Sequence, residues 1–362
     1  MQKTLLQNSS RAVANWVFIG VIMLFVQVIL GGITRLTGSG LSITEWNVAT
    51  GTIPPMNSQQ WITEFDKYKQ TPQFRLLHAD FNLRDFKFIF FWEWFHRFWA
   101  RMVGVVFIVG FVYLIWKRKM KQEMIKPLLI LFFLGALQGA VGWIMVASGL
   151  TGDAIYVNPT KLAVHFVLAL GLICYAFWFA LQLSVPQKEI MRNDSLRKWS
   201  WAIIGILFFQ LLFGASMAGH KAAAAAPTWP TINGDWIPGS LFRQSPLFFN
   251  FIDNKIAVHF MHRGLAYLLL MLTLIWSLQA YKIRSVTNYV RKYRWLPMFI
   301  IFIQVLLGIL AVLSSTKIVA NQWGIFEWIA QLHQITGMLF LLCMVYMLYI
   351  VRPVNKISNL LL

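Results

Sequence analysis

The chain is 362 residues long, 58% hydrophobic and only 12% charged. A water-soluble domain of that length needs far more charge to cover its surface, so the composition excludes one. The net charge of +19 would suit a nucleic-acid partner, but its placement along the chain argues against nucleic acid.

Apolar runs of about 20 residues, the length that crosses a bilayer as a helix, occur eight times. In chain order they predict spans over 14–34, 88–116, 127–148, 162–184, 199–219, 256–280, 296–315 and 328–350. The first is too long for a cleavable signal peptide. It also runs into Gly31-Gly32 and a polar loop rather than a small-residue cleavage site. Eight spans put both termini on one side. The segments on that side hold 18 Lys and Arg against three acids, Glu123, Glu189 and Asp194. The segments on the other side hold 11 Lys and Arg against nine acids. The positive-inside rule then predicts cytoplasmic termini. The charge sets topology, and its natural partner is anionic membrane lipid.

Cys174 and Cys343 both fall mid-span. No disulfide between external loops is possible, no cysteine metal site has the needed spacing, and both thiols read as packing residues.

An internal repeat organises the chain. Spans 1, 3, 5 and 7 each carry Gln-x-x-x-Gly, as Gln27/Gly31, Gln138/Gly142, Gln210/Gly214 and Gln304/Gly308. Spans 2, 4, 6 and 8 each carry a histidine, His96, His165, His262 and His333. The offset between halves is 166 for His96 to His262 and for Gln138 to Gln304, and 168 for His165 to His333. The loops repeat as well. Trp46 and Gly51 lie 15 and 20 residues beyond Gly31, and Trp229 and Gly234 lie 15 and 20 beyond Gly214. The expected fold is therefore an all-α integral membrane protein of eight transmembrane helices, arranged as two pseudo-symmetric four-helix bundles. The bundles span 1–185 and 186–362 and run parallel about an axis along the membrane normal. In Gln-x-x-x-Gly, the glycine is expected to let helices approach while the amide bonds across the contact. The alternative is that the glycines make room for a flat ligand.

Ionisable side chains inside a membrane usually face an interior and carry function. Four histidines at repeat-related places point to two bis-histidine pairs, His96 with His165 and His262 with His333. Counting residues into each span places all four in the outer part of the bilayer. Zinc or copper would want further Cys, His or carboxylate ligands. A haem needs only axial ligands and suits a bundle in which 16% of residues are aromatic. His259, three residues before His262, is expected to line the site rather than ligate. His78 and His220 lie in loops and carry no repeat signal. Glu93 precedes His96 by three residues, where the second half has His259, and is the only acidic residue expected inside a span. It reads either as a salt-bridge partner of Arg97 or Arg101, or as a group that manages protons or charge beside a reacting ligand. The second reading makes the first half a reaction chamber and the second a fixed cofactor site.

These residues resemble the haem A synthases, most closely their longer form, found in mitochondria and many Gram-negative bacteria. The resemblance covers nearly the whole chain. It is carried by Gly31–Trp46 (GGITRLTGSGLSITEW), Thr52–Pro55 (TIPP), Phe65–Gln70 (FDKYKQ), Glu93–Arg97 (EWFHR), Ala218-Gly219, Thr228–Pro238 (TWPTINGDWIP) and His259–Arg263 (HFMHR). It implies an oxidoreductase that oxidises a ring methyl of haem O to a formyl group, giving haem A for cytochrome oxidase. The family's essential histidines fall on His96, His165, His262 and His333, as axial ligands to haem iron, and its glutamate on Glu93. The first pair would hold substrate haem O and the second a haem B cofactor. The mechanism expected is stepwise hydroxylation to a diol that loses water, with the second haem relaying electrons from an unidentified donor. The expected setting is the inner (plasma) membrane, with both haem sites towards the outer face. A haem O synthase is the expected upstream partner, and a homo-oligomer is possible. Arg35, Arg97, Lys161 and Arg263 are candidates for propionate contacts.

There are departures from the family pattern. Lys161 stands where the family often has Arg, which gives a point charge rather than a fork. The loop cysteine pairs of the shorter form are absent, so no mechanism can use them. Ala222–Ala226 is plain for the family and is expected to reshape the loop after span 5. The rival readings are a two-haem membrane cytochrome b that only transfers electrons, and a transporter built from parallel repeats.

Overall fold

The computed structural model describes residues 2–45, 50–319 and 322–353. Trp46, half of one loop match, lies outside them. Among the described residues eight helices are long and apolar enough to cross a membrane, and there is no β-strand beyond an isolated bridge between Ile232 and Asp235. The spanning helices are α1 (Gln2–Leu36), α4 (Leu83–Trp116), α5 (Gln122–Ala147), α6 (Pro159–Ser184), α7 (Asp194–Gly219), α8 (Lys255–Lys282), α10 (Leu296–Ser314) and α11 (Ile325–Ile350). Three short helices, α2 (Ser58–Lys69), α3 (Pro72–Leu77) and α9 (Asn288–Tyr293), lie in the connections.

All eight expected spans are present, but most helices begin three to five residues before the apolar run. At α4, α6, α7 and α11 local capping explains this, whereas α5 starts early without a side-chain cap. The side chains of Asn82, Asn158, Asn193 and Asn254 accept from the first free N–H groups of α4, α6, α7 and α8. Glu327 reaches back to the Gly324 N–H at 2.8 Å to start α11. A hydropathy window does not register a polar cap. The expectation that Glu93 is the only acid within a span is therefore corrected. The longer helices also take in Asp85, Glu123, Asp194 and Glu327. All four sit in first turns, where the helix dipole favours a carboxylate.

Helices α1, α6, α7 and α11 pack on one another at the centre. Around them, α4 packs on α1, α5 on α6, α8 on α7, and α10 on both α8 and α11. Burial follows this order. In α11, 61% of the apolar window is inside the protein, against 6% in α4 and in α5, which leaves those two facing lipid. Two glutamines of α11 fasten it to α1. Gln331 donates to the Ile29 carbonyl at 3.2 Å and Gln334 to the Val28 carbonyl at 2.9 Å. Gly32 makes this approach possible, since a Cβ there would stand 2.5 Å from Gln331 Oε1.

The connections after α1, α5, α7 and α10 lie on one face, here the loop face; the start of α1 and the end of α11 lie on the other, here the terminal face. Helix α4 has 34 residues, about 51 Å, and so overshoots a hydrocarbon core of roughly 30 Å. Its overshooting turns carry Phe86, Ile89 and Phe90, which pack with Phe65 and Tyr68 of α2. Helices α2 and α3 thereby form an aromatic cap on the loop-face end of α4. Cys174 and Cys343 are both free thiols within spans.

Candidate functional site

Each Gln-x-x-x-Gly element faces the histidine of the next span. A Cβ built on Gly31, Gly142, Gly214 or Gly308 would lie 2.8–3.1 Å from Cε1 of His96, His165, His262 or His333 respectively. The flat group these glycines admit is thus the imidazole itself. The glutamine one turn away holds the same ring. Gln27 Nε2 lies 3.2 Å from both ring nitrogens of His96 and donates to its carbonyl at 3.2 Å. Gln138 Nε2 lies 3.1 Å from His165 Nδ1 and donates to that carbonyl at 2.9 Å.

The second half adds a backbone contact. His262 Nδ1–H donates to the Gln210 carbonyl at 3.2 Å and His333 Nδ1–H to the Gln304 carbonyl at 3.1 Å. A neutral imidazole that donates through Nδ1 keeps Nε2 as its acceptor, the tautomer a metal-ligating histidine needs; here Nε2 of His262 accepts from Gln210 Nε2 at 3.3 Å and Nε2 of His333 from Gln304 Nε2 at 3.2 Å. The two rings stand 6.2 Å apart between centroids. Two imidazoles bound end-on to one metal through bonds of about 2 Å put their ring centres roughly 6.3 Å apart.

One cavity of about 1460 Å³ borders all four histidines. A single small-molecule pocket measures roughly 300–1,000 Å³. All four histidines lie in the half of their helix nearer the loop face. Among the described residues no group of three His, Cys, Asp or Glu could hold a bare metal ion. Paired imidazoles in an apolar cavity fit a macrocycle that brings its own equatorial ligands. The buried Oε1 atoms of Gln27, Gln138, Gln210 and Gln304 have no hydrogen-bond donor, so each amide still has acceptor capacity beside a ring.

Glu93 borders the cavity and is almost wholly buried. Its Oε2 accepts from the Ser42 N–H at 2.7 Å, the Ser42 hydroxyl at 2.7 Å and the Ile43 N–H at 2.9 Å. Its Oε1 pairs with Arg97 Nη2 at 2.5 Å. Every partner is a donor, the complement of an ionised carboxylate. Arg97 also donates to the Ile43 and Glu45 carbonyls, so the pair ties the loop after α1 to α4. Arg263 does the same in the second half. It donates to the Ala226 carbonyl at 2.9 Å, the Thr231 carbonyl at 3.1 Å and His259 Nδ1 at 3.0 Å. Ala222 and Ala226 are fully buried, and their small side chains let this backbone settle against Arg263. His259 lines the cavity, with its buried Nε2 unpartnered.

Of the propionate candidates, Arg35, Arg97 and Arg263 border the cavity, whereas Lys161 is exposed and away from it. Lys221 stands at the rim instead, its ammonium 3.7 Å above the Tyr156 ring. Sequence reasoning passed over Lys221, Glu327 and His78, all of which border the cavity. Glu327 lies within electrostatic reach of Arg35. His78 is buried, stacks on Phe81 at 4.0 Å and meets the Tyr68 hydroxyl at 2.6 Å. Burial, with the Glu93 charge added, pushes the Tyr68 phenol up. It therefore stays protonated and donates to Gln73 Oε1 at 3.0 Å.

Eight apolar spans around four imidazoles in a shared cavity define a polytopic membrane protein suited to iron porphyrin. A model of the cytochrome oxidase assembly protein family matches residues 14–351, and the chain belongs to that family. Its relatives include a protein named heme A synthase from Flavobacterium johnsoniae, 36% identical over 95% of this chain and 99% of the relative. Another of that name, from Paracoccus denitrificans, is 38% identical over 86% of this chain and 84% of the relative. A third, from Parvibaculum lavamentivorans, is 42% identical over 73% and 76%.

Proposed function

We propose that this chain is a haem A synthase, an oxidoreductase that converts a ring methyl of haem O to the formyl group of haem A. The observation that carries the reading is the opening of all four repeat-related histidines onto one cavity, together with family membership across the chain. Within this reading the halves divide at about residue 185. The repeated order of helix neighbours supports two related four-helix bundles: α1 on α4 and α7 on α8, α5 on α6 and α10 on α11, α1 on α6 and α7 on α11.

His96 and His165 hold haem O as substrate, and His262 and His333 hold haem B. When bound, the haems supply the redox chemistry and the methyl group that is oxidised. The protein's own residues position and insulate. The fixed Nδ1 bonds of His262 and His333 suit a resident cofactor. Glu93 keeps a buried negative charge beside Arg97 at the first site. Helices α2 and α3 cover that site against water. Arg35, Arg97 and Arg263 are assigned to propionates, with Lys221 at the rim. The charge bias supports cytoplasmic termini in the inner membrane and sites towards the outer face. A haem O synthase would supply the substrate, and a separate donor the electrons.

The test is expression with a source of haem O, followed by chromatography of the extracted pigments. Haem A together with haem B is expected. A protein holding two b-type haems and yielding no haem A would instead be an electron-transferring cytochrome. A second prediction concerns the glycines. Gly308→Ala places a methyl 3.0 Å from His333 Cε1, so the ring must shift. Haem B retention is expected to fall about tenfold, within the range for disturbed ligand orientation, read as Soret absorbance per protein. Undiminished absorbance would mean that the ring can move freely.

A further inference from the structure

The cavity is much deeper in one half than in the other. In the first half its lining continues from Gln27 to Trp16 on α1, from His96 to Phe107 on α4 and from His165 to Ala176 on α6. That is eleven residues towards the terminal face on each helix, about 16 Å. In the second half the lining ends three residues beyond Gln210 and Gln304, at Leu207 and Ile301. It ends seven beyond His262 and His333, at Leu269 and Phe340, at most about 10 Å.

Two features create the extra depth. Helices α4 and α5 barely approach each other, whereas their repeat counterparts α8 and α10 pack together. The extension is also bordered by Gly20, Gly104 and Gly135, at each of which a Cβ would meet nothing within 4 Å. The repeat offsets put Ile203, Leu270 and Ile301 at the corresponding places of the second half. Ile203 and Ile301 are buried there, filling the space that the glycines leave open. At its far end the extension is closed by Trp16, Phe107 and Phe132, with ring centroids 5.3 Å apart for the first two and 6.1 Å for the last two.

We infer that this extension, between α1, α4, α5 and α6, is the seat of the isoprenoid tail of the first-site haem. The inference rests on the haem O reading above and extends it to a subsite. Haem O differs from haem B by a long hydroxyfarnesyl chain in place of a vinyl group. An apolar tail needs an apolar sleeve leading from the ring site, and only the first half has one of this depth. The hydroxyl at the ring end of the chain is a donor, and the buried Oε1 atoms of Gln27 and Gln138, at the mouth of the sleeve, lack one. Gln210 and Gln304 share that unmet acceptor, so depth, not the hydroxyl, separates the halves. The gap between α4 and α5 faces lipid, which gives a membrane-dissolved tail a lateral way in.

The test installs second-half residues in the sleeve, as Gly104→Leu, Gly135→Ile and the double variant. Gly171→Leu, at an exposed glycine outside the cavity, is the control. Purified protein loaded with its resident b-type haem is titrated with haem O and, separately, with haem B, following the Soret band. The sleeve variants are expected to bind haem O about tenfold or more weakly, with haem B binding at the first site and resident haem content unchanged. KM for haem O should rise with the same ratio. Unaltered haem O affinity overturns the inference. So does an equal loss of haem B binding, which would place the effect at the ring rather than the tail. If the double variant misfolds, the single variants carry the measurement. A wild type that binds no haem O overturns the functional reading along with this one, whereas a wild type that makes haem A alongside insensitive variants overturns this one alone.

Discussion

His333→Ala is expected to strip the b-type haem from the purified protein and to cut haem A output by more than about a hundredfold. Disturbing the groups that merely orient a metal ligand costs roughly 10–100-fold, and removing the ligand itself should cost more. The geometry makes the loss specific. His333 is held by the Gln304 carbonyl and faces His262 at 6.2 Å. Alanine leaves His262 with no partner ring across the cavity. His96→Ala is the complementary case. It should abolish haem A while leaving the resident b-type spectrum, because Gln27 and Gly31 contact His96 on α1 and α4, away from the second pair. Pigment extraction and a reduced-minus-oxidised spectrum on the same preparations measure both. If His96→Ala lost the b-type spectrum and His333→Ala kept it, the two sites would have to exchange roles.

The spans were legible in the sequence because bilayer crossing demands an uninterrupted apolar run, and only the polar helix ends escaped notice. The four histidines were legible because a duplicated chain repeats its spacing. The Gln-x-x-x-Gly element was half legible. Its repetition marked it, but a one-dimensional pattern does not say whether glycine faces a helix backbone or a ring; in the structure it faces a ring. His78 escaped because its position depends on α2 and α3 folding back over α4, and the loop after α7 has no counterpart to it. Lys161 and Lys221 exchanged importance for a related reason. Proximity in sequence to His165 favoured Lys161, whereas the left-handed backbone at Lys221, φ 50°, turns that residue to the cavity rim. The deep sleeve was visible in principle, as glycines opposite branched residues at matched offsets. Its meaning needed the separation of α4 from α5.

Glu93→Ala is expected to eliminate haem A, with the second-site haem retained. The carboxylate has four donors, three from Ser42 and Ile43 and one from Arg97. Removing it takes a carboxylate away from a guanidinium whose side chain is only 11% exposed. Breaking a buried pair in this way costs about 3–5 kcal/mol. That is enough to release the loop after α1 from the first site and to admit water beside the substrate. Glu93→Gln separates charge from shape. It keeps the volume and one acceptor oxygen, but turns an NH2 group towards N–H and guanidinium donors. If Glu93 only fastened the loop, Gln should recover a large part of the activity, since one oxygen can still serve Ser42 and Ile43. If the negative charge itself acts on the reaction, Gln should be nearly as inactive as Ala while the loop stays in place. Haem A per resident haem B measures activity, and protease protection of the segment around Ser42 reports the loop. The reading of the first half as the reaction chamber predicts an inactive Glu93→Gln with a protected loop. A fully active Glu93→Gln would reduce Glu93 to a fastening.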